Sequence, residues 1–275
     1  MSRVTRGFVA FVLVGCSAQV TAESPFGDKR FTLELGAFLS DFDTSVRLSG
    51  PNAGSGVTLE DRLGLDDNQT SFRGEFTWRF ADRHRVNVGW YEFKRKSRGR
   101  AQRAFVVETE DGTLEFDTGV GLDTEFNWRL IPITYSYSFI QNERFELAGA
   151  AGLHVMRVKF GVEGFATING NMAGFASESE TVSAPLPVLG LDATYAITPN
   201  WLLRARGQWF GLDYDDYSGE LTDFRVATEY RFGETWGIGI GYTRYDIDFE
   251  EDNGRFKFEF DYNYEGPEAF VTVSF

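Results

Sequence analysis

Residues 71–80 read SFRGEFTWRF, and the alternation within them decides the fold. Phe72, Phe76, Trp78 and Phe80 fall on one side of an extended chain, with Ser71, Arg73, Glu75, Thr77 and Arg79 on the other. A period of two belongs to a strand, because successive side chains of an extended backbone point to opposite faces. The stretch 221–232 repeats it, with Phe224, Val226, Thr228, Tyr230 and Phe232 opposite Arg225, Ala227, Glu229 and Arg231. The same pattern runs through 30–41, 85–96, 120–140, 145–156, 186–198, 201–210, 236–250 and 255–275. The sequence therefore predicts an all-β, antiparallel, up-and-down chain of about ten strands, with 8 to 12 compatible.

Two of these stretches change phase. In 120–140 the apolar set runs Phe126, Trp128, Leu130 and then Ile133, Tyr135, Tyr137, Phe139, with Pro132 at the change. In 255–275 it runs Phe256 to Tyr264 and then Val271, Val273 and Phe275, across Gly266 and Pro267. Proline cannot donate a ladder hydrogen bond, so a β-bulge is expected at each place.

Runs of about ten residues suit a tilted strand crossing a hydrocarbon layer. The connections agree, because they alternate in length. Those at 81–84, 141–144, 198–200 and 233–235 are short, whereas 41–69, 97–120, 161–185, 213–220 and 250–254 are longer or more acidic. Within one of the long ones, Phe105 to Phe116 around Asp111-Gly112 reads as a small hairpin. Short turns at one end and long loops at the other are the pattern of a transmembrane β-barrel.

The chain has 275 residues, 16% of them aromatic, and a formal charge of -14. An acidic excess of that size excludes nucleic acid as a partner, since phosphate binding needs a basic stripe. Residues 1–22 read as a signal peptide: Arg3 and Arg6, an apolar stretch from Gly7 to Gly15, then Val20-Thr21-Ala22 as a cleavage site. Leu13-Val14-Gly15-Cys16 also fits a lipobox, which would leave Cys16 lipidated. Cys16 is the one cysteine, so residues 23–275, expected to form a single barrel domain, contain no disulfide and no thiolate metal site.

Ala269, Val271, Val273 and Phe275 alternate up to a terminal aromatic residue. In this the chain resembles bacterial outer-membrane β-barrel proteins, whose final strand is read by the barrel-assembly machinery. The resemblance implies a Gram-negative cell outer membrane, turns in the periplasm, and a C-terminal strand ending at Phe275 that engages that machinery. It also implies outer-membrane lipid and lipopolysaccharide as partners, and it fixes no function.

Candidate chemistry is sparse. Arg73, Glu75, Arg79, Glu125, Arg129, Glu146, Arg204, Arg206, Arg225, Glu229 and Arg231 are expected on the inner face. They either line a pore or pair with one another to fill a narrow lumen, and the pairing reading is favoured because about ten strands leave little space. His154 is the only candidate base and has no Ser or Asp at a telling spacing, while His84 is expected to be solvated in a turn. Asp213, Asp215 and Asp216, and the group Asp246, Asp248, Glu250, Glu251 and Asp252, are expected as solvated loop charge. Asp248, Glu250, Asp252 and Glu259 have the spacing of a calcium loop, but Gly254 is one place late, so divalent cations there would bridge loops to lipid phosphates. Trp78, Trp201 and Trp236 lie near the short turns and suit an aromatic girdle. Gly237, Gly239 and Gly241 indicate close packing.

No catalytic residue, cofactor or metal ligand is assigned. The expected function is a non-enzymatic outer-membrane barrel acting through acidic extracellular loops. The alternatives are a narrow passive channel for small solutes and, behind it, a lipid-modifying or proteolytic enzyme built on His154.

Overall fold

The computed structural model describes residues 29–50, 53–58, 68–100, 105–109, 112–168, 171–176, 180–214, 217–252 and 257–275. The expected export segment, Cys16, Asp215 and Asp216 lie outside them. Among the described residues there are strands and no helix. In chain order they are β1 (Phe31–Gly50), β2 (Ala53–Thr58), β3 (Asn68–Ala81), β4 (His84–Arg100), β5 (Phe105–Thr109), β6 (Gly112–Phe116) and β7 (Gly121–Gln141). There follow β8 (Phe145–Ile168), β9 (Asn171–Ala176), β10 (Glu180–Thr198), β11 (Trp201–Tyr214), β12 (Tyr217–Phe232), β13 (Trp236–Asp252) and β14 (Lys257–Ser274).

Ten of these close on themselves in the order β10-β11-β12-β13-β14-β1-β3-β4-β7-β8, and β8 pairs back to β10. All the pairings are antiparallel. Closure leaves no strand of the ring unpaired, which is what full burial of backbone groups in lipid demands. The seam is β1 on β14, where Phe31 N–H donates to the Phe275 carbonyl at 3.0 Å and Phe275 N–H returns a bond at 2.9 Å. The expected hairpin is present as β5 on β6, while β2 and β9 fold back on β1 and β8.

The outer wall carries an apolar belt next to the short turns. Leu35, Leu39, Phe72, Phe76, Trp90, Ile133, Leu153, Leu189, Leu191, Ile238, Ile240 and Val271 are all exposed on it. Trp78, Phe80, Trp201, Tyr230, Phe232, Trp236 and Phe275 ring its turn end. On β7 the belt runs from Ile131 to Phe139, about nine residues, which at ~3.4 Å per residue and a tilt of about 40° is roughly 23 Å tall. A hydrocarbon layer favours such a wall for the reason that makes water reject it.

Neither expected bulge exists. β7 keeps one register against β8 from Leu122 through Ser138, and β13 keeps one against β14 from Trp236 to Asp252. The inward set of β7 is unbroken: Thr124, Phe126, Trp128, Leu130, Pro132, Thr134, Ser136 and Ser138 are all buried. What changes is the surroundings. Beyond the belt the outer face turns polar (Asn127, Arg129) while the inner face turns aromatic, so hydrophobicity inverts across a straight strand. The register shifts that do occur lie beside the short turns, between Arg79 and Ala81, Ser138 and Ile140, and Ala196 and Thr198.

The long strands also correct the loop assignments. β13 runs to Asp252, so Asp246, Asp248 and Glu250 stand on the wall of the barrel beyond the belt and not in a loop.

Candidate functional site

Period two sends one residue in two into the lumen, and two layers of very different chemistry result. The layer toward the short turns is ionic. Arg79, Glu146, Arg85, Asp192, Arg206, Glu75, Arg73, Glu268, Arg225, Glu34, Arg204, Glu229 and Arg231 form one chain of alternating charge, in which every member between the end residues Arg79 and Arg231 sits between two of opposite sign. Arg206 donates to both Glu75 oxygens at 2.7 and 2.8 Å, and Arg225 donates to Glu34 and Glu268 at 2.5 Å each. Arg73 donates to Glu268 as well. The members come from β1, β3, β4, β8, β10, β11, β12 and β14, so the chain laces eight of the ten walls together. Buried charges persist only when each has hydrogen-bonded partners, and here each does.

β13 contributes no ionic member and makes room instead. Gly237, Gly239 and Gly241 line its inner face, where an added Cβ would press on Glu229, the Phe270 ring and Glu268.

The second layer closes the lumen beyond the ionic chain. Phe38, Phe42, Phe93, Phe126, Trp128, Leu130, Tyr245, Ile247, Tyr262 and Tyr264 are buried there in one cluster. Trp128, 0% exposed, lies with its ring centroid 5.1 to 5.5 Å from those of Phe93, Tyr245, Tyr262 and Tyr264. Arg95 caps the layer, its guanidinium 4.7 Å above Phe42 and 5.0 Å above Phe126, and donates to Thr44 Oγ1 at 2.6 Å. Edge-to-face and offset rings at these separations fill the section as a protein core does. On the turn side of the plug the lumen opens into a vestibule of about 1000 Å³ lined by Arg79, Arg85, Arg204, Arg206, Glu146 and Glu229 among others.

Of the residues expected inside, Arg73, Glu75, Arg79, Glu146, Arg204, Arg206, Arg225, Glu229 and Arg231 are there. Glu125 and Arg129 are not. They face outward beyond the belt, where Arg129 donates to Glu92 at 2.6 Å and lies 4.8 Å over Trp90, because β7 never changes phase. Glu34, Arg85, Arg95, Asp192 and Glu268 were missed. Glu34, Asp192 and Glu268 alternate with outward apolar or small residues, which is the signal that would have found them, whereas Arg95 stands between outward Lys94 and Lys96 and gives no such signal.

His154 faces inward with none of its surface exposed. Its Nε2 is 2.7 Å from Gln208 Oε1, and its ring lies 6.0 Å from and parallel to Tyr245. Asp223 stands between Gln208 and Tyr245 in the ladder, which brings an acid to the neighbourhood of His154 from 69 positions away. Among the described residues no hydrogen bond joins the two, and the plug covers both. His84 is not a solvated turn residue: it opens β4, half-buried on the outer wall, with Nδ1 2.6 Å from the Tyr135 hydroxyl.

The acids expected in loops stand on strands beyond the belt, Asp213 on β11 and Asp246, Asp248 and Glu250 on β13, with Glu220 of β12 and Glu259 and Asp261 of β14 beside the latter. Glu220 faces Asp248, Asp248 faces Asp261, and Glu250 faces Glu259. Among the described residues no group of three or more His, Cys, Asp or Glu side chains has the arrangement of a metal site.

No family model and no curated protein sequence matches the chain. Solved structures do. The outer membrane protease OmpT from Escherichia coli superposes with a TM-score of 0.56 at 12% identity, over 94% of this chain and 100% of that one. The translocator domain of the autotransporter NalP from Neisseria meningitidis gives 0.48 at 10%, over 90% and 89%, and the Pseudomonas putida toluene transporter TodX 0.33 at 10%, over 91% and 90%. Identity at this level speaks for fold alone, and the two scores under 0.5 carry no argument. The closed ten-strand ring, its apolar belt and the first of these superpositions give this chain the fold of the bacterial outer-membrane β-barrel proteins.

Proposed function

We propose that this chain spans the outer membrane as a barrel closed to solutes, and that its role is non-enzymatic and exercised outside the membrane through the wall and loops beyond the belt. The observation that carries the reading is the aromatic plug, ten buried side chains packed across the lumen. Hydrated solutes have no polar path through such a layer. Among the described residues the vestibule is what favours a channel, and it ends at the plug. A catalytic role for His154 would need a route for substrate to a ring with no exposed surface. The lumen thus acts as a strut that holds the distal wall in place. The acidic part of that wall approaches lipid phosphates only through divalent cations.

Residues 23–275, refolded and inserted in a planar bilayer, are expected to give no single-channel openings. The double variant Phe93→Ala/Trp128→Ala is expected to conduct. Discrete, reproducible openings from the unaltered chain would overturn the closed-barrel reading in favour of a passive channel.

A further inference from the structure

The vestibule on the turn side of the plug has a sign of its own. The whole chain carries a formal charge of -14. Among the described residues that line this cavity, however, nine are Lys or Arg and five are Asp or Glu. The ion pairs do not cancel that difference at the cavity surface, because the partners stand at different depths. The side chains of Arg79, Arg204, Arg206 and Arg231 are 14–29% exposed, whereas those of Glu34, Glu75, Glu146 and Glu229, with which they pair, are 2–3% exposed. Glu34, Glu75 and Glu268 do not line the cavity at all. The guanidiniums thus make its inner surface, with much of the carboxylate charge behind them. The ionic chain also begins and ends on arginine, so it holds seven arginines for six carboxylates.

Several donors facing this space have hydrogens to spare. Arg204 commits only Nη1, to Glu34 at 2.8 Å and Glu229 at 3.1 Å, and among the described residues its Nε and Nη2 make no hydrogen bond. Asn87 lines the vestibule one inward row nearer the plug than Arg85 and is 5% exposed. Its Oδ1 accepts from the Thr77 hydroxyl at 2.8 Å, and its Nδ2 has no partner. A buried amide donor left in that state favours an acceptor that comes to it. At the mouth stand Arg30, just before β1, and Arg144, just before β8, on strands four places apart in the ring of ten. Neither side chain has a partner among the described residues.

We infer that the vestibule is a binding site for a small polyanion, a solute carrying two or more carboxylate or phosphate groups, which enters from the turn side and stops at the plug. The inference rests on the outer-membrane reading for the compartment the solute comes from, the periplasm. A cavity of about 1000 Å³ holds a small molecule. Cations lining a cleft with low-dielectric walls raise the local concentration of anions, so Arg30 and Arg144 draw the solute in. The Arg204 fork and the Asn87 amide then hold its oxygens in fixed directions.

The test uses residues 23–275 refolded in a neutral detergent, with the gel shift between boiled and unboiled samples as the check on folding. Citrate and pyrophosphate are the probes and acetate the control, each titrated in a calorimeter at low salt. One equivalent of either polyanion is expected to bind, at least tenfold more tightly than acetate and more weakly as sodium chloride is raised. Asn87→Asp keeps the side chain's shape and puts a carboxylate where the free donor stood; it is expected to lose at least tenfold. Arg30→Ser/Arg144→Ser, both exposed at the mouth, carries the test independently of any change to the lumen and is expected to lose as much. Arg244→Ser, on the outer wall beyond the belt, is expected to bind as the unaltered chain does. Acetate binding as tightly as the polyanions, or equal affinity in the vestibule variants and Arg244→Ser, overturns the inference. A folded barrel that binds neither probe overturns it alone, whereas a chain that shows no gel shift overturns the membrane reading and the inference with it.

Discussion

Gly239 is a small residue with a large consequence. It faces the lumen from β13, and a side chain there would run into the Phe270 ring and the Thr228 carbonyl. Phe270 in turn lies under the Arg225 guanidinium at 5.0 Å, so displacing it disturbs the ionic chain. Gly239→Val is therefore expected to leave most of the chain in the unshifted, unfolded gel band after refolding, while Ile240→Val on the lipid-facing side folds as before. The residue scale is also where the sequence is easiest to read. Arg73, Glu75, Arg204 and Arg206 are assigned to the lumen from alternation alone, since each sits between residues that match the belt. Trp128 defeats the same logic. Its strand carries apolar residues outside within the belt and inside beyond it, and only knowledge of where the belt ends tells which face a tryptophan takes. Asp223 near His154 was unreadable for a different cause, because ladder register and not sequence spacing brings them together.

At the scale of the element, strands rather than loops carry the distal charge, and they do so under strain of the same sign. Burial and the facing Asp261 carboxylate push Asp248 above the ordinary aspartate range. An acid whose folded pKa lies above its unfolded value binds more protons in the folded state. Its contribution to stability is thus largest at low pH and is lost as pH rises through the raised pKa. Amide exchange in the distal rows of β13 and β14, corrected for intrinsic rate, is expected to be slower at pH 4.5 than at pH 7, and Asp248→Asn to abolish the difference. The ionic chain ties elements together differently. Glu268 on β14 holds Arg73 of β3 and Arg225 of β12, neither of which neighbours it in the ring. Glu268→Gln leaves two guanidiniums short of a counter-charge, at a cost of about 3–5 kcal/mol, measurable as a lower urea midpoint for the loss of the gel shift. Strand count, turn positions and the Phe105–Phe116 hairpin were legible, because alternation and turn length are local signals. The lengths of the strands beyond the belt were not, since there the outward face is polar and reads as loop.

At the scale of the whole molecule the barrel is organised along two directions. Along its axis the order is vestibule, ionic chain, aromatic plug and polar wall; around its circumference beyond the belt, Lys94, Arg129 and Arg157 on the outer face of β4, β7 and β8 stand across the ring from Asp246 and Asp248 of β13. The first direction supports the expectation of a silent barrel. The seam gives the molecule a third property, which concerns time. Thr32 and Ser274 touch there through their hydroxyls at 3.1 Å across 242 positions of chain. A contact of that sequence separation is among the slowest for a chain to find, and until it forms, β1 and β14 each expose an open edge in a medium that cannot solvate it. Ring closure is then the committing event of assembly: a chain arrested before it has ten strands and no barrel.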